Sequence, residues 1–114
     1  MVPGQGTAGL SKPAAATRRI AFDAAGWESE DDFYGAFLSA LGAPDWHGRS
    51  VDALIDSIVF GGINAVEPPF ALVVRNGAAL EPGLRRGIES ILAYLVEAAR
   101  EERRGAEWLG VIFK

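Results

Sequence analysis

Phe70-Ala71-Leu72-Val73-Val74 is an unbroken apolar run, closed by Arg75 and the turn pair Asn76-Gly77. Apolar residues without alternation fit a central strand buried on both faces, as in a parallel sheet. Parallel neighbours cannot be joined by a hairpin; they need long crossovers, usually helical. The flanking sequence supplies both the neighbours and the crossovers.

Arg18 to Asp23 reads as a short strand, with Ile20 and Phe22 alternating against Arg19 and Ala21. Ser29 then opens a helix, with Asp32 placed for a capping box and Glu30, Asp31 and Asp32 on the positive end of the helix dipole. Phe33, Phe37, Leu38 and Leu41 give that helix its apolar stripe. Gly42 stops it and Pro44 prevents its restart. A second helix starts after the cap Ser50 and runs to about Val59, on Val51, Leu54, Ile55 and Ile58, until Gly61-Gly62. The connector from Ile63 to Pro69 has room for a short helical turn. Pro82 sits near the start of a long helix from about Gly83 to Arg103, with Leu84, Ile88, Ile91, Leu92 and Leu95 on its core face. Trp108 to Phe113 forms a last strand. Helices between every pair of strands predict an α/β domain: a small three-stranded parallel sheet with right-handed crossovers, packed by about four helices.

At 114 residues and 49% hydrophobic content, the chain suits one domain with one core. Residues 1–17 are rich in Gly, Ala and Pro without periodicity and read as a flexible tail, leaving residues 18–114 for the domain. That tail lacks the apolar segment of a secretory signal, and no apolar run approaches the roughly 20 residues that span a bilayer. There is no cysteine, which excludes disulfides and a thiolate nucleophile and fits a cytoplasmic location. The formal net charge is −4. An acidic chain without a basic stripe is a poor partner for nucleic acid and a better one for a basic protein.

Function concentrates between Pro44 and Ile58. Asp52 and Asp56 stand four residues apart on one helical face, where like charges repel. Asp52 favours the helix dipole; Asp56 is mid-helix, where Asp is a weak helix former. The pair is either a solvated face or an anionic surface awaiting a cationic partner. Glu97 and Glu101 repeat the spacing, with Arg100 and Arg104 nearby, as an ordinary charged helix face also would. Trp46 precedes the first pair; it is a binding aromatic or a ring packed over the core edge. His47, the single histidine, fits turn chemistry better than catalysis. The carboxylates could bind a divalent ion, but they have no calcium-loop spacing. No phosphate loop, dinucleotide fingerprint or nucleophile elbow is present, so neither a cofactor nor a catalytic residue is assigned.

The central segment resembles the barstar family, intracellular inhibitors of the ribonuclease barnase. The pattern is carried by Pro44, Trp46-His47, Gly48, Ser50, Asp52-Ala53-Leu54 and Asp56, and it continues through Arg18 to Leu41, Pro69 to Arg75, Gly87 to Leu92, Glu97-Ala98 and Leu109 to Phe113. The resemblance implies a non-enzymatic, monomeric inhibitor whose carboxylates take the place of RNA phosphates in a cationic active site. Asp56 would hold the central position, flanked by Asp52 and Glu97, with Glu101 peripheral. Trp46 would replace a stacking tyrosine, and Gly48 would let the two backbones approach. Ser50, Ile55 and Val59 would share the surface. Ile55 stands where the family has an interface tryptophan, Val59 where it has a threonine and His47 where it has a second tyrosine. The connector is longer than the family's, and the family's tryptophan there has no clear equivalent. The resemblance also implies a cis bond before Pro69. Two alternatives stay open: a binding module for another basic protein or toxin, and an enzyme using the carboxylates around a metal.

Overall fold

The computed structural model describes residues 18–102 and 108–114. The tail 1–17 and the helix end expected at Arg103 lie outside them. The described chain runs β1 (Arg19–Asp23), α1 (Glu30–Leu41), α2 (Val51–Leu54), a π-helical turn (Ile55–Val59), β2 (Phe70–Arg75), a 3-10 turn (Gly77–Ala79), α3 (Pro82–Glu101) and β3 (Leu109–Phe113). The strands form one parallel sheet in the order β1-β2-β3, with Ile20 opposite Leu72 and Leu72 opposite Val111. The apolar run is the middle strand, and Phe70 to Val74 are all buried. Phe70, Leu72 and Val74 point into the main core, while Ala71 and Val73 are buried outside it.

The core lies between the sheet and the helices. Phe33, Phe37 and Leu41 of α1 meet Ile88, Leu92 and Leu95 of α3 there, with Leu54 and Ile58 beside them. Phe22, Phe33 and Phe37 are linked edge-to-face or tilted, with centroids 5.4–5.5 Å apart. Each such fully buried side chain contributes about 1.5–3 kcal/mol relative to exposure.

The ends of α1 follow from its sequence. The Asp32 carboxylate accepts the amides of Glu28 (2.7 Å) and Ser29 (3.2 Å), occupying donors that precede the first turn. Gly42 closes the helix in the left-handed region at φ 64°, and its amide reaches back to Leu38 O and Ser39 O.

Two expectations are corrected. The helix count is three rather than about four, because the connector 63–69 holds no helix. Its amides serve α1 instead: Ala65 N donates to Gly42 O (3.3 Å) and Val66 N to Leu41 O (2.9 Å). Pro68 and Pro69 offer no amide at all. Their shared peptide bond is cis, as the resemblance implied. The second helix is also not uniform to Val59. It is α-helical only to Leu54 and then widens, with Phe60 N donating to Ile55 O at 3.4 Å. The Ser57 hydroxyl lies 3.4 Å from Leu54 O, the carbonyl that an α-helical turn would offer to Ile58. Gly61 and Gly62, at φ 78° and 85°, then end the segment. Among the described residues no helix is long and apolar enough to cross a membrane.

Candidate functional site

The segment between α1 and α2 is short, polar and held at several points. His47 N donates to Pro44 O at 3.0 Å, which closes the turn that carries Trp46. Arg49 reaches across to the first turn of α1, bonding the Asp31 carboxylate at 2.8 Å and its carbonyl at 3.1 Å. The Ser50 hydroxyl accepts Ala53 N at 3.1 Å and so caps α2.

His47 secures the same segment from inside. It is buried, with Nδ1 2.7 Å from Gly48 O and Nε2 2.7 Å from the Ser57 hydroxyl. A carbonyl can only accept, so Nδ1 carries the hydrogen. Nε2 and the Ser57 hydroxyl share the other bond. One side chain thus joins the segment before α2 to the widened turn after it. Turn chemistry was the expectation for His47; the tie to Ser57 was not visible in sequence.

Between these fixed points the functional groups face outward. Trp46 is 73% exposed and packs over no core edge. Gly48 is exposed, and a Cβ there would come within 3.3 Å of Ala53 Cβ. Asp52 and Asp56 are exposed on α2 and the turn that follows it. The widened turn, the kind of helical irregularity often found at functional sites, carries Asp56 itself.

Glu97 and Glu101 project from α3 and meet Ile55 across a cleft of about 280 Å³. The packing of the turn against α3 therefore brings Ile55, next to Asp56, and the second acidic pair to one place. Val59 does not join them. It is 5% exposed and belongs to the core. Phe60 and Tyr94, which sequence reasoning missed, line the cleft instead. Tyr94 could have been found, because it continues the spacing of Glu97, Ala98 and Glu101 backward by one turn.

Arg49 is engaged with Asp31, and Arg100 with Glu97 at 2.8 Å. Among the described residues, Asp52, Asp56 and Glu101 have no cationic partner. Nor do three or more metal-ligating side chains gather at one point among those residues. Asp52, Asp56, Glu97 and Glu101 are all exposed, as is Trp46.

A family model described as barstar, barnase inhibitor, matches residues 17–112. The chain belongs to the barstar family. The match runs from ahead of β1 into β3, and the parallel three-stranded α/β architecture fits that family. No curated protein matches the chain. Within this barstar-family domain, the capped α2, the turn that follows it and the C-terminal half of α3 carry the carboxylates singled out by sequence.

Proposed function

We propose that the domain is a non-enzymatic inhibitor that blocks the cationic active site of a barnase-type ribonuclease one-to-one, as a monomer in the cytoplasm. The observation that carries this reading is the exposed carboxylate of Asp56, which has no cationic partner among the described residues and sits on a clamped segment of a barstar-family fold. Asp56 makes charge-assisted hydrogen bonds to arginines that otherwise bind RNA phosphates. Asp52 and Glu97 flank it, and Glu101 extends the face. Trp46 adds apolar contact, Gly48 allows close backbone approach, and Ser50 and Ile55 complete the surface. Catalysis, cofactor and metal have no part in this action.

An acidic face also steers a basic partner before contact. Barnase and its inhibitor are the worked case from which that rule is known. The experiment is a titration of the domain into a barnase-type ribonuclease cleaving RNA. Cleavage falls in proportion to added inhibitor and stops at one equivalent; an undiminished rate contradicts the proposal.

A second reading keeps the face and changes the partner to another basic protein. The half-buried Ile55, standing where the family pattern has an interface tryptophan, favours it. Full ribonuclease activity beside one-to-one binding of a different basic protein would select this reading.

A further inference from the structure

Phe60 and Tyr94 are each 64% exposed and line the same cleft. Single exposed apolar residues are ordinary on a protein surface. Two large rings sharing one cleft, rimmed by charge, form a patch of the kind that marks an interaction site. The cleft floor is Ile55 and Ala98, and its rim is Glu97, Glu101 and Glu102. Tyr94, Ala98 and Glu101 recur at three- and four-residue spacing, so one face of α3 supplies a ring, part of the floor and a carboxylate. Phe60 lines the cleft from another element, at the residue that closes the widened turn.

Each part of this cleft restricts the occupant. The acidic rim repels carboxylates and phosphates. A purely apolar side chain would fill the floor and leave the rim charges without a partner. A long cationic side chain satisfies both, laying its stem on Ile55 and Ala98 while its head reaches the rim. Between the two such residues, arginine fits better than lysine. Its guanidinium is planar, stacks on aromatic faces and pairs with carboxylates as a fork. Glu97 is already bonded to Arg100, whereas Glu101 and Glu102 have no cationic partner among the described residues.

We propose that the Phe60–Tyr94 cleft is a second anchoring point, which takes an arginine side chain of the basic partner against its rings and pairs it with Glu101. This rests on the reading of the acidic face as a docking surface for a basic protein. It adds Phe60 and Tyr94 as residues that determine which basic partner fits.

The test uses the whole chain and two probes. The first is a blocked Gly-Arg-Gly peptide, titrated while backbone amide shifts are recorded by NMR. Saturating shifts are expected at Phe60, Tyr94, Ala98 and Glu101, weakened in Tyr94→Ala and in Glu101→Gln. The same peptide with norleucine for arginine should leave these amides unmoved. No shift at the cleft, or equal shifts with norleucine, overturns the proposal. The second probe is a barnase-type ribonuclease. If it binds, Phe60→Ala and Tyr94→Ala should each weaken binding about tenfold, while thermal midpoints stay unchanged because both rings are exposed. Unchanged affinity in both variants defeats the second anchor and leaves the inhibitor reading standing. Absence of ribonuclease binding, with arginine-specific shifts intact, defeats the inhibitor reading and supports the cleft.

Discussion

His47 Nε2 and the Ser57 hydroxyl lie 2.7 Å apart in the protein interior, joining the segment before α2 to the turn that carries Asp56. The residues are ten apart in sequence, and the bond ties the turn that carries Trp46 to the one that carries Asp56. Ser57→Ala removes the partner of a buried ring nitrogen. A buried polar group left unpaired costs about 1–3 kcal/mol, so Ser57→Ala should lower unfolding free energy by that amount in chemical denaturation. Stability equal to the wild type would show that the bond contributes nothing.

Gly42 presents a different constraint. Its φ of 64° is costly for any residue with a Cβ, and a Cβ there would sit 2.8 Å from Ala65 Cβ. The same point receives the amide of Ala65, so the connector cannot simply withdraw. Gly42→Ala is expected to destabilise the domain by at least about 1–2 kcal/mol. A thermal melt with an unshifted midpoint would contradict this.

Acid should weaken the fold through the cap of α3. The Glu81 carboxylate accepts the amides of Leu84, at 2.9 Å, and Gly83, which holds its pKa below the ordinary glutamate value. The folded chain then binds fewer protons than the unfolded chain in acid. This contribution is complete above the unfolded value of about 4.3 and is lost as the pH falls through the lower folded value. Asp23, lowered by its bonds from Asn76 and then Ala25, acts in the same direction. Glu81→Gln keeps an acceptor and does not titrate. Its stability should depend less steeply on pH below about 4.3 than the wild type's; an unchanged dependence would remove Glu81 from the explanation.

Salt should act on association more than on dissociation. The carboxylates of the face are exposed, and their attraction for a distant basic partner is screened within about 8 Å at physiological ionic strength. Stopped-flow measurements with a barnase-type ribonuclease should show an association rate that falls steeply as salt rises, with a dissociation rate that changes little. A salt-independent association rate would contradict electrostatic steering.

Much of this was legible in sequence, for reasons that can be named. The run from Phe70 to Val74 could only be a covered strand, and its place in the sheet followed from the helices around it. Ser29, Gly42, Ser50 and Pro82 marked helix ends because their roles are local. The carboxylates were legible as pairs through their spacing. What escaped depends on contacts between distant residues. The connector gives its amides to α1, which removed the expected extra helical turn. Ser57 meets His47 ten residues away, in a helix that widens where periodicity predicted a regular turn. Val59 at the end of that turn is buried in the core, and Phe60 just after it lines a cleft with Tyr94. No local pattern reports such a change, because it is set by what the turn packs against.

The most direct test of the whole account is the affinity of a barnase-type ribonuclease for the wild type and for Asp56→Ala, measured by calorimetry at one salt concentration. The account predicts one-to-one binding by the wild type and a loss of at least about 30-fold, ~2 kcal/mol, in the variant, since the arginines facing Asp56 would be left without their partner. Equal affinities, or no binding by the wild type, would contradict it.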